Sequence, residues 1–286
     1  MIVYTTISSF RVMRKALASN ITVGFVPTMG ALHEGHLSLV KEARQNNDVV
    51  VASIFVNPTQ FGANDDLDKY PRQLTRDTEL LKSLGVDHVF APTNEIMYGP
   101  NFATYVNAPE GFEEHTEEGK ARPGHFRGVA TVVTKLFNIV QPTRAYFGQK
   151  DAAQCVMIRR MVQDLNFPLE VVVLDTVREF DGLAMSSRNA YLNDEARRAA
   201  PIVYAALCAA KDLYALTSPT TSFRMLEETV KQVLKSEPQV TEIEYIVCDS
   251  YDTMKPLTVI REEPAVLSLA VRIGSVRLID NIILRR

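Results

Sequence analysis

Between residues 21 and 55 the chain sets two apolar runs around one amphipathic stretch, an order that few folds can hold. Ile21-Thr-Val-Gly-Phe-Val26 reads as a buried strand. Pro27 to Gly30 supply a turn, and a helix opens at His33-Glu-Gly-His36 and runs apolar through Leu37, Leu39 and Val40. Asp48-Val-Val-Val-Ala-Ser-Ile-Phe55 follows, apolar on both faces as a central parallel strand is. Strand, helix and strand in this order form the βαβ unit of an α/β domain, whose ligands collect at strand carboxyl ends. A helix entered straight from a strand aims its N–H groups, carrying roughly half a positive charge, above that end, where an anion can sit. His33 and His36 fall on one face of the first turn, so both imidazoles can address one anion, a nucleotide polyphosphate being the expected guest. A zinc-protease helix needs H-E-x-x-H with four-residue spacing, and the spacing here is three, so no metal ligand is assigned. Incidental histidines at an ordinary strand–turn–helix start are the other reading of this stretch alone.

Composition narrows the class. The 286 residues are enough for one large core or two modest ones. With 46% hydrophobic and 23% charged residues the chain is globular, and a net charge of −3 leaves no electrostatic footprint for nucleic acid. No unbroken apolar run approaches the ~18 residues of a membrane span. Met1-Ile-Val-Tyr-Thr-Thr-Ile7 lacks the charged and apolar regions of a secretion signal. Cys155, Cys208 and Cys248 are odd in number and far apart, and read as reduced core thiols of a cytoplasmic protein.

Along the chain, Ile2–Tyr4 is a short strand and Ser8 caps a helix through Ala18. At the end of the 48–55 strand, Asn57-Pro-Thr-Gln60 is dense in amides and hydroxyls. Either these side chains close the turn, or Asn57 and Gln60 bind a neutral polar group. A helix over 74–84, a strand over 87–91 and an extended piece over 102–106 follow, then a long loop over 109–124 that could cover a site. His125 and Arg127 at its end are either anion contacts or part of a solvated turn. The apolar helix over 131–140 is core or a partner surface. Arg144–Phe147 is the next strand, and Gly148-Gln149-Lys150-Asp151 turns into a second helix over 152–165. Lys150 and Gln154 then face the crevice, and Asp151 either caps the helix or takes a ribose hydroxyl. A strand over 168–175 closes the sheet. Met185-Ser186-Ser187-Arg188 offers hydroxyl and guanidinium donors suited to phosphate oxygens. Beyond it lie an Ala-rich helix over 195–216, a helix over 223–235 and strands near 242–248, 265–273 and 276–278. The expected architecture is α/β: a Rossmann-like parallel sheet flanked by helices over 1–176, and a smaller α+β C-terminal domain over 177–286 that carries the Met185–Arg188 loop.

His-x-Gly-His after the first nucleotide strand and Met-Ser-Ser-Arg after the last resemble the paired signatures (HIGH and KMSKS) with which class I aminoacyl-tRNA synthetases and related nucleotidyltransferases hold ATP. The likeness is closer to one family. Pro27-Thr-Met-Gly-Ala-Leu-His-Glu-Gly-His36, Ser53-Ile-Phe-Val-Asn-Pro-Thr-Gln-Phe-Gly62 and Arg122-Pro-Gly-His-Phe-Arg-Gly-Val129 resemble the pantoate–β-alanine ligase family. So do Phe147-Gly-Gln-Lys-Asp-Ala-Ala-Gln154, Asp181-Gly-Leu-Ala-Met-Ser-Ser-Arg-Asn189 and Arg277-Leu-Ile-Asp-Asn281. The resemblance implies ATP-dependent condensation of (R)-pantoate with β-alanine, through a pantoyl-adenylate, giving pantothenate, AMP and pyrophosphate. Carried over by position, Met29, Gly30, Ala31, Leu32, His33, Glu34, Gly35 and His36 line the ATP site, with His36 on the phosphates. Gly148, Gln149, Lys150 and Asp151 take the ribose and phosphate side, Val177 the adenine, and Met185, Ser186, Ser187 and Arg188 the adenine and polyphosphate. Gln60 and Gln154 hold pantoate, Gln60 also serves β-alanine, and Asn57 lies near that pocket. His33, His36, Lys150 and Arg188 are the expected catalytic groups. The family further implies a homodimer and Mg2+, carried mainly on the ATP phosphates.

Two other functions fit parts of this pattern. An adenylyltransferase of the same fold keeps the histidine site but needs no second acceptor pocket, against the Gln60 and Gln154 pair. A non-catalytic nucleotide-binding sensor binds ATP without turnover and usually shows a damaged donor set, whereas this one is intact.

Overall fold

The computed structural model describes residues 1–62, 65–217 and 220–286. The chain divides into two compact units, one of Met1–Glu113, Gly119–Gly148 and Met157–Asp175, the other of Glu114–Glu118, Gln149–Val156 and Thr176–Arg286. The first is built on a parallel sheet of β1 (Ile2–Tyr4), β2 (Val23–Thr28), β3 (Val49–Ile54), β4 (His88–Phe90), β5 (Arg144–Gly148) and β6 (Glu170–Leu174). The spatial order is β1-β4-β3-β2-β5-β6. Between these strands the chain forms α1 (Ile7–Ala16), α2 (Glu34–Asn46), α3 (Leu74–Ser83), α4 (Asn94–Met97), α5 (Phe112–His115), α6 (Glu117–Ala121), α7 (His125–Val140) and α8 (Ala152–Asp164).

From β2 the chain builds outward through β3 and β4, then returns to lay β5 and β6 on the other side, so the strand order reverses between β2 and β5. β3 is apolar on both faces because both are covered: Val50, Val51 and Ala52 are fully buried. Six residues of β2 pair with β3, from Val23–Val49 to Thr28–Ile54, but only Gly24 and Phe25 pair with β5. This asymmetry explains a proline inside a central strand. The Thr28 carbonyl accepts the Phe55 N–H on the β3 side, so strand alternation turns Pro27 toward β5, where pairing has already stopped and no donor is missed. The strand therefore extends to Thr28 rather than ending at Val26. One face of the sheet packs Val26, Val40 and Ala43 with Leu81 and Val89. Around α7 the rings of Phe25, Phe147 and Phe167 meet Phe137 at 6.5, 6.5 and 5.6 Å. Most of α7 is buried within its own chain, which accounts for its apolar sequence without a partner surface.

Several expected boundaries move. The first helix starts at Ile7, because Thr6 and not Ser8 caps it by accepting the Ser9 N–H at 3.3 Å. Residues 102–106 join no ladder among the described residues; Thr131 Oγ1 instead accepts the Val106 N–H at 3.0 Å. The 109–124 loop contains α5 and α6.

In the second unit follow α9 (Asp194–Ala199), α10 (Ile202–Leu216), β7 (Thr221–Ser222), α11 (Phe223–Lys235), β8 (Val240–Ser250), β9 (Val259–Ile260), β10 (Ala265–Ile273) and β11 (Val276–Leu284). β11, β10 and β8 form an antiparallel sheet in that order, and β7 pairs with β9. The single Ala-rich helix expected here is two, separated by Ala200 and Pro201, with the proline standing immediately before α10. Asp194–Leu216 is long and apolar enough on average to cross a membrane, a property hidden from a search for unbroken apolar runs. Its apolarity serves a core: Ala199, Val203, Ala206, Leu207 and Ala210 pack with Leu226 and Val230 of α11 and with Leu267 and Leu269 of β10.

His88 on β4 is held below its ordinary imidazole range by burial, against the opposing pull of Asp87. Its Nδ1 is buried without a hydrogen-bond partner. The folded protein thus declines a proton that the unfolded chain takes up below a pH of about 6.5, so this stability is present above that pH and lost as pH falls. His88→Gln is expected to flatten the acid side of the profile by up to ~1.4 kcal/mol per pH unit. Urea midpoints at pH 7.5 and 5.5 check this; parallel losses in both proteins would count against it.

Candidate active site

At the carboxyl end of β2, Thr28 Oγ1 donates to the Ser53 carbonyl at 2.7 Å and accepts the Gly30 N–H at 3.2 Å. The chain then turns through two left-handed residues, Gly30 (φ 84°) and Ala31 (φ 50°). That turn is held from α3: Asp77, fully buried, accepts the Ala31 and Leu32 N–H groups on its two oxygens, each at 2.9 Å. A Cβ at Gly30 would lie 2.9 Å from the same carboxylate, so glycine is needed there for space as well as for φ. His33 then caps α2. Its Nδ1 accepts the Gly35 N–H at 3.2 Å, and Nδ1 of His36 accepts the His33 N–H at 3.4 Å. The rings lie 4.1 Å apart. With Nδ1 of each ring accepting, the N–H left to each ring is on Nε2. The sequence expectation of main-chain N–H groups open to an anion is revised. Ala31, Leu32 and Gly35 commit theirs to Asp77 and His33, so these three are closed to an anion.

At the carboxyl end of β3 a 3-10 turn over Pro58–Gln60 is organised by Asn57, which is 1% exposed. Its Nδ2 donates to Gln60 Oε1 (3.0 Å) and the Gly128 carbonyl (3.2 Å). Its Oδ1 accepts the Tyr98 hydroxyl (2.7 Å) and the Thr59 hydroxyl (3.0 Å). Asn57 thus closes the turn and orients Gln60, whose Nε2 reaches Met29 Sδ at 3.3 Å. Met29, Asn57 and Gln60 come together although 31 positions separate the ends of the set. His125 is neither an anion contact nor a solvated turn. It is buried, donates from Nδ1 to the Gln60 carbonyl at 2.8 Å and receives Arg122 on Nε2 at 3.2 Å. Gly128 lies so close that an added Cβ would be 2.3 Å from the Thr59 carbonyl oxygen. Arg127 stacks on Tyr105, 3.9 Å from the ring centre. Arg122 to Gly128 is therefore the buttress of the Gln60 turn.

In the second unit, Gln149–Asp151 forms a 3-10 turn leading into α8, with Lys150 Nζ 3.9 Å from Asp151 and Gln154 in the first turn of that helix. Val177 and Met185 are brought together by the Met185 N–H on the Val177 carbonyl at 3.0 Å, across the Arg178–Ala184 bridge. Ser186 caps the following 3-10 turn over Ser187–Tyr191, accepting the Arg188 N–H at 3.2 Å.

A parallel sheet whose order reverses at β2, with paired imidazoles at one strand end and an amide-rich turn at the next, defines an α/β nucleotide-binding enzyme. The family model for pantoate-beta-alanine ligase matches residues 2–283. The chain is 51% identical over 282 residues to the pantothenate synthetase of Herpetosiphon aurantiacus, covering 99% of each protein. It is 54% identical over 268 residues to that of Chloroflexus aggregans, covering 94% of this chain and 95% of the relative. Its fold superposes on the crystal structure of pantothenate synthetase from Thermus thermophilus with a TM-score of 0.92, at 45% identity and full coverage of both chains. A pantoate-beta-alanine ligase from Francisella tularensis, complexed with beta-gamma ATP and beta-alanine, gives 0.82 at 36% identity, covering 99% of this chain and 97% of that one. The chain belongs to the pantoate–β-alanine ligase family.

Asp77 escapes a reading of the sequence because an acid in the first turn of α3 is already explained by the helix dipole. Asp77→Asn is expected to cost about 1–3 kcal/mol, since the amide offers one oxygen and sets an N–H against the second backbone donor. Gly128→Ala should cost a similar ~1–3 kcal/mol by overpacking on Thr59. Urea unfolding measures both; a loss below the low end of either range would dissociate that residue from the turn it supports.

Proposed function

We propose that the protein condenses pantoate with β-alanine in two steps on one site. The pantoate carboxylate attacks the α-phosphorus of ATP, forming pantoyl-adenylate and releasing pyrophosphate. The amine of β-alanine then attacks the acyl carbon, giving pantothenate and AMP. The observation that carries this reading is the pairing of the His33–His36 turn after β2 with the Gln60 turn after β3, in a chain matched by the family model over residues 2–283.

The first step needs no strong base, because a carboxylic acid of pKa around 4 is ionised at pH 7. Its barrier is charge, an anion approaching a polyanion while pyrophosphate departs. Donors aimed at that charge lower the barrier most. In this reading the cationic or N–H-bearing groups His33, His36, Lys150 and Arg188, with Ser186 and Ser187, meet the phosphates. Met29 to His36, Gly148 to Asp151, Val177 and Met185 frame the nucleotide. Gln60 and Gln154 orient pantoate without competing for its charge, and Asn57 acts by holding Gln60. Among the described residues no group of three or more His, Cys, Asp or Glu side chains is placed to hold a metal. Mg2+ fits as the ion of ATP, with ligands from phosphate and water. Residues 1–176 supply the ATP and pantoate site in this reading, and 177–286 the Met185–Arg188 loop. Cysteine usage supports action in the cytoplasm. Assembly as a homodimer is checked by light scattering, as a particle of twice 32.0 kDa.

AMP release from ATP and Mg2+ is the direct test, run with pantoate alone, β-alanine alone and both. Sustained AMP is expected only with both acids. Pyrophosphate release with another acceptor and none with pantoate would assign an adenylyltransferase, and ATP binding without any product a sensor. His36→Ala and Lys150→Ala should each fold and lose about 3 kcal/mol of transition-state stabilisation, ~100-fold in rate. Near-normal turnover in either would remove that residue from the mechanism.

A further inference from the structure

β11 breaks its own pattern. Val276, Leu278, Ile282 and Leu284 belong to the apolar packing of the second unit, and alternation places Asp280 on the same face. Asp280 is nonetheless an acid, and Asn281 beside it is buried on the other face, at 4% exposure. Neither position is explained by the sheet.

Their partners explain them. Asn281 Nδ2 donates to two successive carbonyls, Gln149 at 3.1 Å and Lys150 at 2.8 Å, and Oδ1 accepts Gln149 Nε2 at 3.4 Å. The carboxylate of Asp280 accepts the Asn281 N–H at 2.8 Å and is gripped by both terminal nitrogens of Arg178, at 2.5 and 3.0 Å. Arg178 in turn donates to the Gly182 carbonyl at 3.1 Å and stacks on Tyr204 at 3.7 Å. The result is a chain of buried polar contacts from the 177–185 hairpin through β11 to the turn that bears Lys150.

We propose that Asn281 is a positioning residue for the adenylation step, fixing the main chain of Gln149 and Lys150 so that the Lys150 ammonium is held where charge develops. The proposal rests on the reading above in which Lys150 meets the phosphates. An amide suits the task because it presents two coplanar donors without a net charge that would disturb the lysine. Alanine leaves two carbonyls without these donors. Aspartate would set its oxygens against carbonyl oxygens.

The test is single-turnover pyrophosphate release from ATP, Mg2+ and pantoate by the unaltered protein, Lys150→Ala, Asn281→Ala and the double variant. A displacement of about 1 Å in a catalytic group costs on the order of 100-fold, the slowing expected of Asn281→Ala. The KM for β-alanine should not change, and the double variant should be slower than Lys150→Ala by no more than about twofold, because both changes remove one interaction. An Asn281→Ala rate close to the unaltered one, or multiplicative losses in the double variant, would overturn the proposal. Loss of activity in Lys150→Ala with none in Asn281→Ala leaves the parent reading intact while this one fails. Full activity in Lys150→Ala sinks both. Should Asn281→Ala not fold, Asn281→Ser keeps a donor for one carbonyl and is expected to fold with an intermediate rate. Its failure to fold as well would make Asn281 a stability residue and refute the assignment.

Discussion

Gly24 with Arg144 and Phe25 with Ala145 are the whole ladder between β2 and β5, against six pairs between β2 and β3. Hydrogen bonding therefore holds the strands together at their amino ends and releases them where the chain order reverses. In open α/β sheets ligands bind outside the strand carboxyl ends at such a reversal of strand order. Pro27 belongs to the same arrangement. It cannot extend the ladder toward β5, and it leads directly into the turn at Gly30.

The turns at those strand ends are shaped by buried polar groups from elsewhere in the chain more than by their own residues. Asp77 holds the 30–32 turn, Asn57 and His125 hold Gln60, and Asn281 holds Gln149 and Lys150. Each contributes a fixed direction, which apolar packing does not. Burial makes an unpaired polar group costly, so such a network has one satisfied arrangement and resists small displacements. For chemistry limited by the placement of charge, that resistance matters more than the net stability of any one bond.

How much of this the sequence discloses follows from range. The alternation of apolar runs with an amphipathic helix is local, so the parallel sheet, its flanking helices and the C-terminal α+β unit are all legible in it. The His33–His36 turn is legible for the same reason. The pairings that orient the site are not local. Asp77 meets Leu32 across 45 positions, His125 meets Gln60 across 65, and Asn281 meets Lys150 across 131. No periodicity encodes them, and each residue has a bland local explanation: a helix dipole, a loop histidine, a polar strand end. Only Asp280 carries a local warning, as an acid in the apolar register of β11. Pro201, by contrast, is local and still misleads, because a proline immediately before a helix marks its beginning as readily as the end of the one before.

Asp77 raises a question of charge, since it sets a carboxylate beneath a turn that the proposed function assigns to a polyanion. Its two oxygens engage the Ala31 and Leu32 N–H groups, so the negative charge faces the main chain of the turn. Those N–H groups, left open, would form a rigid nest that binds phosphate in the ground state and in the transition state alike. Uniform binding of that kind tightens substrate without lowering the barrier to reaction. With the Ala31 and Leu32 donors committed to Asp77, the proposed function leaves the phosphates to side chains. Imidazole, ammonium and guanidinium groups held by the turns around them can be aimed at the charge that develops on the leaving pyrophosphate. Tying backbone donors to an internal carboxylate is then a way of reserving the site's positive charge for the transition state.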